Sequence, residues 1–371
     1  MQVKPFAELG VSRDVVRALR AGGIDTPFPI QSRVVPDVLA GRDVLVQSPT
    51  GSGKTLAFAV PIVDRLKPDG PRPAALVLAP TRELAAQIVA ETQPLAKARG
   101  LRVAAVYGGT GFGAQIAAVA KAQIVVATPG RLEDLIERGD IRLDRVRIVV
   151  LDEADRMLDM GFRPAVARIV GQTPAKRQTL FFSATLEGAV GKLARDYTRD
   201  PLRHEYRTPR SERGLVDHRF VGVSREGRLD RLVEHLDEER GRTLVFVRTK
   251  RGADRLVKRL KSRGQVAVAM HGDKTQGQRE RALRSFHSGN STTLIATDVA
   301  ARGIDVDDVT HVINFDAPAD RDTYVHRIGR TARAGRSGVG ITFVLDDQVG
   351  DVARIAADLR LGREFELRAA V

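Results

Sequence analysis

Apolar residues along this chain fall into two alternating textures. Short, mainly apolar runs occupy positions 43–47, 74–79, 103–106, 124–127, 148–151 and 179–182. Runs of this length, bounded by glycine and proline, predict strands buried on both faces of a parallel sheet. Between them lie longer stretches in which apolar positions return every three or four residues, the pattern of crossover helices. Residues 5–40 are helical in pattern, interrupted by a turn at 22–29, which is rich in Gly and Pro. A second set of runs follows at 219–223, 244–247, 266–270, 293–296, 311–314 and 340–344. From 203 to 216 the chain is polar and has no apolar period, which reads as a linker. The expected fold class is therefore α/β, with two tandem domains (1–205 and 217–371, linker 206–216), each a mostly parallel sheet flanked by helices.

Two strand ends carry candidate chemistry. The run at 148–151 stops on Asp152-Glu153-Ala154-Asp155. Ligands of open α/β sheets sit at strand carboxyl ends. One acid there could hold Mg²⁺ while another polarises an attacking water. Alone, the stretch equally fits a strand ending in an acidic solvated turn. Upstream, the run at 43–47 leads through Thr50-Gly51-Ser52-Gly53-Lys54-Thr55 into a helical pattern. Strand, glycine turn, Lys-Thr and helix is the context of a phosphate-binding P-loop. The backbone of Thr50, Gly51, Ser52 and Gly53 would close around phosphates. Lys54 would reach the β and γ phosphates, and the Thr55 hydroxyl would ligate Mg²⁺. Ser48 stands where the general pattern has its first glycine. P-loop and acidic strand together point to nucleotide hydrolysis.

Composition narrows the partners. The formal net charge is +14. Residues 1–207 carry 30 basic and 22 acidic side chains (+8), and the rest carry 30 and 24 (+6). Basicity spread over both halves suits a polyanion lying across both domains, although an arginine-rich composition alone gives the same count. There are no cysteines, which excludes disulfides and thiolate metal sites and agrees with a cytoplasmic setting. No apolar run approaches a membrane span, and the seven histidines are scattered singly.

Other strand ends supply further candidates. Gln31 lies near a helix start, and its amide can donate to and accept from an adenine edge. Thr81-Arg82 and Thr128-Pro129-Gly130-Arg131 each open a helix with phosphate-ready residues. Gly109, Gly111 and Ala114, with Glu133 about twenty residues on, satisfy a loose dinucleotide fingerprint; it is rejected because the first βα unit belongs to the P-loop. Ser183 lacks the Gly-x-Ser-x-Gly elbow of a nucleophile.

Taken in order, these stretches resemble the motif series of DEAD-box RNA helicases. The series comprises Phe6, Gln31, the P-loop, Pro80-Thr81-Arg82-Glu83-Leu84, Gly108-Gly109, Thr128-Pro129-Gly130-Arg131, Asp152-Glu153-Ala154-Asp155 and Ser183-Ala184-Thr185. It continues with 244–249, His271-Gly272-Asp273 with Gln276 and Arg279, 296–305, and His326-Arg327-Ile328-Gly329-Arg330-Thr331-Ala332-Arg333. The resemblance spans residues 6 to about 345 and stops soon after the last motif, so the chain reads as a bare core of the family.

The resemblance implies two RecA-like domains with ATP between them, and RNA bound mainly through its backbone. It implies Asp152, Glu153, Lys54, Arg330 and Arg333 as catalytic residues, with Glu153 orienting the water and the two arginines acting as fingers. It assigns Phe6, Gln31, the P-loop and Asp305 to the nucleotide, and Thr55 and Asp152 to Mg²⁺. RNA falls to Thr81, Arg82, Gly109, Thr128, Arg131, Thr249, Arg279, Thr297 and Gly303. Asp155, Ser183, Thr185, His326 and Arg327 would couple ATP to RNA, with Asp155 bonding to Ser183. The three-residue spacing of Arg327, Arg330 and Arg333 predicts one shared helical face. Where the family usually has an aromatic stands Ile24, and where it has a small hydroxyl residue stands Phe28, so adenine selection is expected to be loose. A monomer is expected. A DNA-directed helicase, an ATP-gated RNA clamp and a non-enzymatic RNA scaffold are the competing classes.

Overall fold

The computed structural model describes residues 4–49, 51–206, 215–238, 241–301, 309–332 and 336–366. The chain divides into two compact units, Met1–Arg207 and Thr208–Val371. Among the described residues, the first unit has one sheet of seven strands: β1 (Val44–Gln47), β2 (Ala75–Leu78), β3 (Val103–Val106), β4 (Ile124–Ala127), β5 (Ile148–Leu151), β6 (Gln178–Ser183) and β7 (Leu202–Glu205). Their order is β3-β4-β2-β5-β6-β1-β7, and every pairing is parallel.

A parallel sheet needs a crossover between successive strands, and helices such as Lys54–Arg65, Arg82–Ala98 and Pro129–Glu137 supply them. These helices cover both faces, so the inner strands must be apolar on both sides. β5 shows the alternation: Ile148 and Val150 pack into one core with Ile30, Phe58 and Phe182, and Val149 and Leu151 into the other with Leu132, Ile169 and Phe181. Burying each such side chain contributes about 1.5–3 kcal/mol.

The second unit's sheet, among the described residues, comprises β8 (Val216–Gly222), β9 (Arg242–Phe246), β10 (Ala267–Met270), β11 (Thr293–Ala296), β12 (Val309–Asn314) and β13 (Gly338–Val344). The order is β10-β11-β9-β12-β13-β8, again parallel throughout. Leu244 and Phe246 of β9 face one core, and Val245 the other. Each sheet with its flanking helices is a RecA-like domain. No described helix is long and apolar enough to cross a membrane.

Both ends of the expected linker differ in the structure. The polar run beginning at 203 is not all linker, because Leu202–Glu205 forms edge strand β7 against β1. An edge strand needs only half a face buried, so Arg203 and Glu205 stay exposed and pair at 2.7 Å, hiding the strand from an apolar count. At the far end, Val216 already belongs to β8, three residues before the apolar run begins. Residues 207–214 lie outside the described residues.

Candidate nucleotide and RNA site

In a sheet that is parallel throughout, all strands end at one edge. The first unit's candidates sort along that edge by strand order. The P-loop follows β1, Asp152-Glu153 follows β5 and Ser183 ends β6, and these strands are neighbours in the order β5-β6-β1. Thr81 follows β2, Gly109 follows β3 and Thr128 follows β4, which occupy the other half, β3-β4-β2. With strands about 4.8 Å apart, P-loop and acids sit about 10 Å from each other.

The P-loop is held from both sides. Lys54, buried at the start of its helix, donates to the Ser48 carbonyl at 3.1 Å. The Ser52 hydroxyl donates to the Pro49 carbonyl at 2.8 Å and also meets the Ser48 hydroxyl, so Ser48 serves as a loop tie where a glycine was expected. Gly53 has φ +81, and a Cβ there would collide with the Phe28 ring and the Gln31 amide. Only glycine fits on both counts. Gly51 and Thr55 flank this turn, Gly51 exposed and Thr55 half-buried in the helix's first turn. Thr50 lies outside the described residues.

Gln31 is 2% exposed, and its amide is used at both ends. Its Oε1 accepts from the Phe28 N–H at 2.8 Å, and its Nε2 donates to the Gly53 carbonyl at 2.9 Å. It therefore caps the helix Pro29–Leu39 and ties that helix to the P-loop. Phe28 is 55% exposed beside Gly53, whereas Ile24 packs against the core. Phe6 is 2% exposed in the same core.

Asp152 is buried, and burial pushes its carboxyl up to about 7 against the pull of Lys54; Glu153 and Asp155 push it further the same way. It accepts the Glu153 N–H at 3.0 Å. Glu153 has φ 49, a left-handed conformation uncommon for a side chain of this kind, and it stands at the N-terminal boundary of the helix Ala154–Asp159 without a capping bond from its side chain. Its carboxylate pairs with Arg156 at 2.6 Å, both side chains 11% exposed. Arg156 is a site residue that the sequence reading missed; its place one helical turn after Glu153 was the available signal. The Asp155 N–H donates to the Ser183 hydroxyl at 3.3 Å, and the Asp155 carboxylate accepts the Ala184 N–H at 3.1 Å. Ser183 is fully buried, and Thr185 is exposed two residues later.

On the other half of the edge, Thr81 caps the helix Arg82–Ala98 by accepting the Leu84 N–H at 3.3 Å. Arg82 lies over Gly108, where a Cβ would come within 2.8 Å of its Nη2. Arg131 donates to the Thr110 carbonyl at 2.9 Å, pairs with Asp134 at 3.4 Å and lies 4.2 Å from the Phe112 ring centroid. It pins the Gly109 turn (φ 85) to the start of the helix Pro129–Glu137, which Thr128 precedes.

In the second unit, Thr249 caps the helix Lys250–Lys261 by accepting the Gly252 N–H at 3.0 Å. Arg279 lies in the first turn of the helix Gln276–His287, and Thr297 is buried after β11. Arg327 is 4% exposed. Its guanidinium makes a two-pronged pair with Asp298 at 2.6 and 2.8 Å and donates to Asn314 at 3.1 Å and to the Asp316 carbonyl at 2.7 Å. The helix Arg321–Ile328 ends at Gly329, so Arg330 lies beyond it and donates to the His326 carbonyl at 3.4 Å. The shared arginine face is thus corrected: Asp298 draws Arg327 inward while Arg330 leaves the helix. His326 is exposed and, with Arg330, Phe246 and Asp298, lines a small crevice. Gly303, Asp305 and Arg333 lie outside the described residues. Among the described residues, no three His, Cys, Asp or Glu side chains are grouped to hold a metal.

A glycine turn from strand to helix, with acids at a strand end two strands away, is the arrangement of P-loop nucleotide hydrolases. The DEAD/DEAH box helicase family model matches residues 28–193, and the helicase conserved C-terminal domain model matches 227–335. The chain is 42% identical over 346 residues to the ATP-dependent RNA helicase CshA of Limosilactobacillus reuteri, covering 93% of this chain and 70% of that protein. Its fold is similar to S. cerevisiae Dbp5 bound to RNA and ADP BeF3, with TM-score 0.83, 34% identity and 95% and 93% of the two chains covered. It is also similar to the DEAD-box helicase Mss116 bound to ssRNA and UDP-BeF, with TM-score 0.81, 28% identity and 95% and 76% covered. The chain belongs to the DEAD-box ATP-dependent RNA helicases of superfamily 2.

Proposed function

We propose that the β5-β6-β1 half of the first unit's strand edge binds and hydrolyses ATP with Mg²⁺, and that the β3-β4-β2 half holds the RNA backbone. The observation that carries this is the sorting of candidates by strand order. The nucleotide candidates of this unit outside the Phe6–Gln31 segment follow β1 and β5, which flank β6, and the RNA candidates follow β2, β3 and β4.

The residues fit a Mg²⁺-nucleotide. Asp152 is a buried carboxylate short of positive charge, and Thr55 is a hydroxyl on the P-loop helix. Mg²⁺ is usually held by one or two protein oxygens plus phosphates, so a single carboxylate with a hydroxyl suffices. Bound there, Mg²⁺ would neutralise charge on the phosphates. Lys54 leaves the Ser48 carbonyl to meet phosphate, the backbone of the Gly51–Gly53 turn surrounds it, and Glu153 orients and deprotonates the attacking water. Arg156 fixes the Glu153 carboxylate. Ser183 and Asp155 join the ends of β5 and β6, so a shift at the acids reaches the strand that flanks the P-loop. Arg330 keeps the role of a charge-supplying arginine, a contribution typically of about 10³ or more in rate.

Thr81, Arg82, Gly109 and Thr128 are residue types that hold phosphate and sugar, so binding is indifferent to sequence. Arg131 acts by holding the Gly109 turn. The protein acts as a monomer that opens short RNA duplexes. The test is turnover in single variants. Glu153→Gln and Arg330→Ala should each abolish RNA-stimulated hydrolysis while ATP binding by Glu153→Gln persists. Full turnover in either would overturn that residue's role.

A further inference from the structure

The first unit's net charge is not spread over its surface. The connections entering the seven strands, residues 40–43, 66–74, 99–102, 120–123, 138–147, 172–177 and 198–201, carry 13 basic and 5 acidic side chains, a net +8. Residues 1–207 together also carry +8 (30 basic, 22 acidic), so everything outside these connections sums to zero. Because the strands are parallel, all seven connections meet the amino edge of the sheet, opposite the edge that holds the nucleotide and RNA candidates. Crossover helices also end there, and their dipoles attract basic residues. Seven helix ends at about half a negative charge each account for about 3.5 of the excess, which leaves roughly four positive charges unexplained. Within this edge, Arg145, Arg147 and Lys176 line a groove of about 620 Å³ between the connections that enter β2, β5 and β6. All three are exposed, and among the described residues no carboxylate pairs with any of them. Asp69 and Asp144 lie on the same groove, and Asp144 is engaged by Arg142 at 3.6 Å. None of the seven connections contains Phe, Tyr or Trp.

We propose that this amino edge is a second binding surface for single-stranded RNA, separate from the strand-end site; this rests on the reading of the protein as RNA-binding. A basic groove without aromatics grips phosphates and stacks no bases, so it binds without sequence preference and weakens steeply with salt. An RNA already engaged at the opposite edge raises its own effective concentration here, because β1 to β7 place the edges only about 15–20 Å apart. That proximity favours RNA over an acidic protein segment.

The test compares the full chain with Arg145→Glu/Arg147→Glu/Lys176→Glu, and with the milder triple Gln variant should the first fail to fold. Affinity is measured at several salt concentrations for RNAs of about 8 and about 40 nucleotides, lengths matched to one site and to both. The long RNA should bind the variant roughly tenfold more weakly, with a salt slope shallower by about 2, three contacts at about 0.7 each. The short RNA, and the hydrolysis it stimulates, should be unchanged. Equal affinity of variant and wild type for the long RNA would overturn the proposal, as would polyglutamate displacing long RNA as well as RNA itself does. A wild-type chain whose hydrolysis no RNA stimulates would count against the strand-end site, and the length-dependent binding difference would still be read separately.

Discussion

Arg327 gives the sharpest separation between a residue that holds the fold and one that touches the reaction. Its guanidinium is 4% exposed and joins the end of β11 to the end of β12 through Asp298, Asn314 and the Asp316 carbonyl. Arg327→Met keeps the volume and removes the charge. Truncating one partner of a buried ion pair costs about 3–5 kcal/mol. The Asp298 side chain is 30% exposed, so water recovers part of its stranded charge, and about 2–4 kcal/mol is expected here. For a unit of this size, 1 kcal/mol moves Tm by about 2–4 °C. Calorimetry of the full chain should therefore show the second unit's transition lowered by roughly 4–16 °C. Arg327→Met combined with Asp298→Asn should recover at least half of the loss, because no charge is left stranded. A single variant within about 2 °C of wild type would show that the buried pair does not hold this unit together. Lost turnover at unchanged stability would instead place Arg327 in contact with the reacting groups.

Further outcomes follow from other contacts. Gly53→Ala should abolish nucleotide binding, since φ +81 and the Phe28 ring both exclude a Cβ; isothermal titration of ATP checks it. With Ile24 packed on the core and Phe28 exposed at the P-loop, turnover of ATP and GTP should be comparable, and Phe28→Ser should lower both; strict ATP use would sink this. Gln178→Leu should lower the Tm of the first unit by several degrees, because the buried amide bridges the Val38 and Arg42 carbonyls at 3.2 and 2.6 Å and also meets Arg65. Chelation of divalent ions should stop hydrolysis, and Mg²⁺ should restore it; persistence in excess EDTA would refute the Asp152 and Thr55 assignment.

The parallel αβ texture was legible because both faces of the inner strands are covered, which forces continuous apolar runs such as 148–151. The P-loop and acidic strand end were legible because backbone closure on phosphate demands glycines at fixed spacing. What escaped the sequence follows from tertiary partners. β7 hid because an edge strand tolerates Arg203 and Glu205 on its open face. Arg327 read as sharing one helical face with Arg330 and Arg333, and Asp298, 29 residues earlier in the chain, draws it into the interior. Gln31 read as an amide able to address adenine, and its bonds to Phe28 and Gly53 carried no signal in the sequence. Arg131 read as a phosphate-ready residue, and its pairing with Asp134 and its stacking on Phe112 carried no signal in the sequence.

If one strand edge couples ATP hydrolysis to RNA, turnover must depend on the nucleic acid supplied. Steady-state hydrolysis is to be compared without nucleic acid, with single-stranded RNA, and with DNA of the same sequence. Strong stimulation by RNA and little by DNA is expected. Equal stimulation by both, or none by either, would overturn the coupling.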